Sequence, residues 1–272
     1  MRAVRSDDIG ILQNLTRQTT GLTAYELRVL NKKRSWLRAY SPNPPSSTAS
    51  LRAYARALAA TLVFAQEEAG TAVCIDESGL VLTCSHCVAE DADELREGAS
   101  PGRMMIFADG RVVRAEWIVW DARLDLALLR IVAAEPSPHE SSPLSSSTSS
   151  FPFVPVSHTA LKSRARLLCI GHPGSDDLES VVPGTKTGYD TLFISEGRFR
   201  GMCPGQDVMD NSEIGALMHD CWTYWGHSGA PLIEADGGEL IGLHSSWDED
   251  TGMRRGVGWA ALQSFCREHV WV

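Results

Sequence analysis

Apolar residues in this chain come in two rhythms. Near the N-terminus they recur at roughly helical spacing among charged positions, over Asp7 to Arg17 and Thr23 to Tyr40, which predicts two helices. Thr23 with Glu26 three residues later has the form of a capping box. Ser41 to Ser50, with Pro42, Pro44 and Pro45, reads as a linker, and Leu51 to Ala60 as a further helix leading into a strand near Thr61 to Ala65. Beyond that point the rhythm shortens to strand-length runs. Gly70 to Ile75 and Leu80 to Thr83 flank the turn Asp76-Glu77-Ser78-Gly79 and predict a β-hairpin. Ala89 to Glu97 is helix-like. Asp125 to Ile131 is an almost wholly apolar strand with an acid at its mouth, Arg164 to Gly174 reads as a strand and turn, and Leu192 to Gly201 as another strand. Between them, Glu135 to Ser150 is rich in Ser and Pro, cannot bury apolar area, and is expected to be a mobile, solvated insertion.

Composition narrows the class without naming it. The 272 residues are 43% hydrophobic, enough for a substantial core. A formal charge of -9 and a pI near 5.4 argue against nucleic acid as a partner, because phosphate binding usually shows as a basic patch. The start, Met1 to Asp8, meets acids before any apolar stretch, so no secretory signal is expected. The apolar run near Ala57 to Ala65 is too short to span a bilayer, so no membrane association is expected. The seven cysteines, Cys74, Cys84, Cys87, Cys169, Cys203, Cys221 and Cys266, cannot all pair within one chain. Together with the absent signal they read as free thiols in a reducing, intracellular compartment, cytoplasmic or nuclear. No cofactor or metal is called for.

The chemistry concentrates in three places. Gly226-His227-Ser228-Gly229-Ala230-Pro231 sets a serine between glycines before a short apolar run. Alone, this is better explained by an ordinary turn. A serine hydroxyl becomes a nucleophile only with a base, something to orient that base, and backbone N–H groups for the oxyanion. Gly226 leaves its own N–H and that of Ser228 free to converge, which makes those two the candidate oxyanion donors. His86 lies just past the second hairpin strand, where its side chain can leave the core. Asp125 is costly to bury unless hydrogen-bonded, and an imidazole N–H is a suitable partner. Asp121 is the alternative acid.

In order and context, His86, Asp125 and Ser228 resemble the trypsin-like serine proteases. Thr83-Cys84-Ser85-His86-Cys87 is similar to the family's histidine motif, Asp125-Leu126-Ala127-Leu128-Leu129 to its D-I-A-L-L, and Gly226 to Pro231 to G-x-S-G-G-P, with Ala230 in place of a glycine. Ile170 to Gly174 and the segment after the serine follow the HtrA/Deg-like branch. The resemblance covers about residues 60 to 265. It implies an all-β, chymotrypsin-like double β-barrel with an N-terminal helical extension: residues 1–58 form the extension and linker, and 59–272 the protease domain. Within that domain the first barrel takes about 59–134, the insertion 135–150 and the second barrel about 151–265.

The resemblance further implies an intracellular serine endopeptidase that acts on polypeptides, with Ser228 as nucleophile, His86 as base and Asp125 orienting it. Leu240 to Ser245 resembles the strand that walls the primary specificity pocket. This makes His244 and Ser245 substrate-binding candidates and gives Ser245 a hydrogen bond to Asp125. Trp222, six residues before the nucleophile, falls at the pocket floor, and with no aspartate there a small or apolar P1 residue is expected. His227 stands where secreted relatives carry an acid, so activation through an N-terminal salt bridge is not expected. Nor is a PDZ module, since the chain ends soon after Trp259-Ala260. Homo-oligomerisation, usual in the branch, rests on resemblance alone, and the N-terminal helices read best as a packing appendage.

Three other readings remain at this point. Cys84-Ser85-His86-Cys87 is a C-x-x-C after a strand, as in thiol-disulfide oxidoreductases. Cys84, Cys87, His219 and Cys221 are an alternative zinc set. The same fold could also bind peptides without cutting them, as a pseudoenzyme. A thiol-exchange assay, bound zinc and an active-site serine probe separate these.

Overall fold

In a computed structural model, which describes residues 9–41, 48–65, 70–97, 102–136 and 150–271, the expected hairpin is the centre of the first sheet. After β1 (Gly10–Ile11), strands β2 (Thr61–Phe64), β3 (Thr71–Cys74), β4 (Leu80–Thr83), β5 (Gly102–Phe107), β6 (Val112–Asp121) and β7 (Leu126–Ala134) pair in the order β7-β4-β3-β2-β5-β6. β6 returns to β7, so six strands close a barrel, and β1 adds to β7 in parallel. β2, β3 and β4 are buried at every position, the pattern of short strands covered on both faces.

The second barrel repeats the plan with β8 (Arg166–Gly171), β9 (Phe193–Met202), β10 (Leu217–His219), β11 (Pro231–Glu234), β12 (Leu240–Trp247) and β13 (Arg254–Val257), closed in the order β10-β13-β12-β11-β8-β9. A strap joins the two: Phe151 N–H donates to Glu77 O (3.0 Å), Val154 N–H to Cys74 O (3.0 Å) and Ser157 N–H to Leu240 O (2.8 Å). The serine turn also bonds directly to the first barrel, Thr71 N–H donating to Ser228 O at 2.8 Å.

The helical extension differs in part from expectation. Helix α1 is one turn, Arg17–Thr20, and the helix expected over Asp7 to Arg17 is not formed in its described part. Pairing decides this: Gly10 and Ile11 find unfilled ladder partners in Ala133 and Ala134, and Leu12 is then buried, which outweighs a weak helical periodicity. Helix α2 (Ala24–Ala39) starts at Thr23 with the expected capping box to Glu26. Helix α3 (Thr48–Ala60) includes the predicted Leu51 to Ala60 stretch, and α4 (Ala92–Glu97) is shorter than its predicted span. The linker at 42–47, the start at 1–8 and the Ser/Pro stretch at 137–149 lie outside the described residues.

The extension is built into the fold. Lys33 Nζ donates to Phe64 O (2.9 Å), Arg34 pairs with Glu135, and Arg56 Nη2 donates to Gly238 O (2.9 Å) on the second barrel. A closing helix, α5 (Trp259–His269), buries Leu262 and Phe265. No described helix is long and apolar enough to cross a membrane.

Candidate active site

The pairing of β4 with β7 brings the first two candidates together. Thr83 lies opposite Ala127, so the residues just after β4 meet those just before β7. There Ser85–Cys87 form a 3-10 turn, and His86 Nδ1 lies 2.9 Å from Asp125 Oδ1. The same oxygen accepts from Ser85 N–H (3.1 Å), Ser85 Oγ (3.0 Å) and His86 N–H (3.4 Å). Asp125 has φ 51°, a left-handed conformation that costs a non-glycine residue energy and is held here by those four donors. Trp120 Nε1 donates to Ser85 O (3.0 Å) from beneath the turn. Asp121, the alternative acid, instead accepts from Leu124 N–H (2.9 Å) and shapes the loop that delivers Asp125.

Burial of the His86 ring opposes its protonation, but the Asp125 bond, the Asp125 charge and Glu90 outweigh it and leave the pKa above the ordinary value. The ring is thus a base held by a carboxylate.

Ser228 faces the same cleft, about 690 Å³ in volume, which His86, Asp125, Gly226 and His244 also line. Gly226 has φ 93° and could carry no side chain, since a Cβ would stand 2.5 Å from His172 O. Gly174 N–H donates to Trp225 O at 2.6 Å, and because that peptide is trans, the Gly226 N–H points to the opposite side. Among the described residues neither Gly226 N–H nor Ser228 N–H has a partner, as an anion-binding pair requires. The Ser228 hydroxyl donates to Ser245 O at 3.1 Å, so its proton is directed at a carbonyl and not at His86.

Two departures from the family motif are accommodated together. His227 is fully buried, and burial pushes its pKa down to about 3, so the ring is neutral. A Cβ on Gly171 would lie 2.4 Å from His227 Cδ2 and 3.0 Å from Ala230 Cβ. Gly171 on β8 therefore makes room both for the imidazole in the place of an acid and for the extra methyl of Ala230.

Two expectations are corrected. Ser245 does not bond Asp125: its hydroxyl lies 3.3 Å from Ser246 Oγ, and Ser85, one residue before the base, serves Asp125 instead. Trp222 does not line the Ser228 cleft. It packs on Phe193 (4.5 Å between ring centroids), Tyr189 (5.1 Å) and His227 (5.5 Å), and lines a separate 290 Å³ pocket with His219 and Arg254. The cleft wall is made of Tyr224, Trp225, His244, Ser245, Ser246 and Trp247.

The thiol readings do not fit the geometry. All seven cysteines are free, and burial pushes Cys87 up to about 12 and Cys84 well above its ordinary value, the reverse of a reactive C-x-x-C. Among the described residues the trio of potential metal donors that converges is Cys84, His86 and Asp125, without Cys87, His219 or Cys221.

Two six-stranded barrels, with a histidine and an aspartate from the first facing a serine turn from the second, define a chymotrypsin-like protein of the trypsin class. The chain belongs to the family described as the trypsin-like peptidase domain, which it matches over residues 70–243. Its fold is shared with HtrA-type and other serine proteases of known structure. The serine endoprotease from Yersinia pestis is 20% identical, with TM-score 0.55 over 83% of this chain and 67% of that one. The inactive form of Rv3671c from M. tuberculosis is 15% identical, with TM-score 0.54 over 84% and 95%. The HtrA-type protease AlgW with a tripeptide is 19% identical, with TM-score 0.56 over 82% and 64%. No curated protein is similar enough in sequence to match it.

Proposed function

We propose that the protein is a serine endopeptidase that cleaves polypeptides through an acyl-enzyme. The observation that supports this most is the His86–Asp125 pair at 2.9 Å in one cleft with Ser228 and two unpartnered N–H groups. In this mechanism a peptide carbonyl carbon is attacked by Ser228 Oγ while His86 Nε2 takes the hydroxyl proton. Asp125 stabilises the imidazolium, and the N–H groups of Gly226 and Ser228 hold the oxyanion, each donor worth about 3–4 kcal/mol. His86 then gives its proton to the leaving amine. Water, deprotonated by the same ring, frees the acid product and restores Ser228.

Reaching this arrangement requires Ser228 Oγ to turn from Ser245 O toward His86. The bond given up is a neutral one, worth about 0.5–1.5 kcal/mol, small beside what substrate binding supplies. Buried free thiols fit an intracellular, reducing setting. The parked hydroxyl is also the observation that favours the second reading, a peptide-binding pseudoenzyme. A fluorophosphonate probe tests the choice: labelling of wild type that disappears in Ser228→Ala and falls sharply in His86→Ala supports the protease, and folded wild type that stays unlabelled supports the binding module.

A further inference from the structure

The second barrel carries a set of polar side chains, directly behind Ser228, that the triad does not use. His244 N–H donates to Ala230 O (2.9 Å) and Gly229 N–H to His244 O (2.8 Å), so His244 is tied to the nucleophile turn by its backbone on both sides. Its side chain is 2% exposed and lines the cleft. Gly256, opposite it on β13, allows the close approach of the two strands, since a Cβ there would stand 2.4 Å from Leu243 O. His244 Nδ1 lies 3.1 Å from Nε2 of His219, itself fully buried on β10.

That contact fixes where the protons are. Both rings are neutral: burial, opposed by the Asp220 charge and aided by that of Arg254, brings His219 to about 3, and burial with the neighbouring imidazoles holds His244 well below its ordinary value. One proton lies in the bond between the rings. If His244 donated it, His219 would carry its other proton on Nδ1, a buried atom with no partner. If His219 donates, that atom is a bare acceptor, the less costly orphan. His219 Nε2–H therefore donates to His244 Nδ1. The neutral His244 then carries its own proton on Nε2, the one nitrogen left for a bound side chain.

We infer that the primary pocket selects a P1 residue whose side chain accepts a hydrogen bond, a carboxylate best of all, through His244 Nε2–H. This rests on the protease reading and revises the small or apolar P1 expected from the sequence. A second observation points the same way. Arg254 stands opposite His219 across the β10–β13 pair, with its Nε buried without a partner and its Nη1 donating to Gly252 O at 2.8 Å. This places an arginine's charge behind the relay, where an incoming carboxylate gains from it and an ammonium loses. Glu90, Glu213 and Glu249 also line the cleft, but they are exposed and their field is screened by solvent and salt, and Asp220 beside His219 is paired with Arg200. Asp125 is already held by four donors.

The test measures binding and so does not need turnover. Ser228→Ala protein is titrated by calorimetry with product-like hexapeptides that differ only in a C-terminal Glu, Gln, Leu or Lys. The expected order is Glu, then Gln, then Leu and Lys, with Glu at least tenfold tighter than Leu. His244→Leu, checked for folding by near-UV circular dichroism, should bring Glu to the level of Leu. His219→Phe, which removes only the relay, should reduce the ratio severalfold. Leu equal to or tighter than Glu, or no binding by any peptide, overturns the inference. Fluorophosphonate labelling of wild type reads the protease independently of P1. A labelled protein without Glu preference loses only this inference, and a Glu-selective protein that never labels keeps the pocket and loses the catalysis.

Discussion

Acid should unfold this protein early, and its buried histidines set the size of the effect. His219 and His227 are fully buried and held at about 3, whereas an unfolded chain titrates them near 6.5. For a histidine depressed in the folded state, the unfolded state binds more protons between the two values, so stability falls as pH falls. From pH 6.5 to 5 that is about 1.5 units at about 1.36 kcal/mol per unit, or roughly 2 kcal/mol for each ring and about 4 for the pair. His172 and His244, also lowered by burial, act in the same direction. His86 has the opposite sign. Its raised folded pKa adds stability that is complete below 6.5 and is lost as pH rises through the folded value, so it leaves this window unchanged. Urea unfolding at pH 6.5, 6.0, 5.5 and 5.0 gives the slope, and with it the protons taken up on unfolding. Two to four are expected, one fewer in His219→Phe. A slope below one proton per molecule would refute the claim that these rings stay neutral in the fold.

Other outcomes follow from single contacts. Ser85→Ala removes a hydroxyl bonded to the Asp125 carboxylate, and should lower kcat/KM about 10- to 100-fold, the equivalent of about 1.5–3 kcal/mol, while Ser228 still labels. In Gly171→Ala the new methyl would stand 2.4 Å from the His227 ring, and thermal denaturation should show a loss of about 1–3 kcal/mol, partly recovered by Ala230→Gly. Lys33→Met strips Phe64 O of its donor and should cost about 1–3 kcal/mol in urea unfolding, which would show that the N-terminal helix belongs to the folding unit. The acidic limb of kcat/KM should lie above pH 6.5, because only neutral His86 accepts the serine proton and its pKa is raised.

What could be read along the chain is what local chemistry specifies. The hairpin around Gly79, the cap at Thr23 and the strand beginning at Leu126 all announce themselves, because a positive φ, a capping box and a continuous apolar run each need particular residues nearby. His86, Asp125 and Ser228 were legible by motif, and β4–β7 and Thr71–Ser228 pairing supplies the proximity that a motif cannot. The strand at Gly10–Ile11 was hidden because its reason is an edge of β7 more than a hundred residues away. Ser85 was passed over in favour of Ser245 because spacing along a strand does not say which hydroxyl faces the acid, and the bulge between His244 and Ser246 shifts the register there. Trp222 differs for a similar reason: counting back from the nucleophile gives a position, but the ring packs on Phe193, Tyr189 and His227 and does not line the cleft. Ser85 could have been found from its place next to the base, where any hydroxyl lies within reach of the acid that binds it.

Whether Ser228 cuts peptide bonds with His86 as its base is read by incubating the purified chain with a denatured peptide mixture and identifying new termini by mass spectrometry, beside Ser228→Ala and His86→Ala. Wild type is expected to give new termini that are absent with Ser228→Ala and strongly reduced with His86→Ala. Termini that persist in Ser228→Ala, or a folded wild type that produces none, would contradict this mechanism.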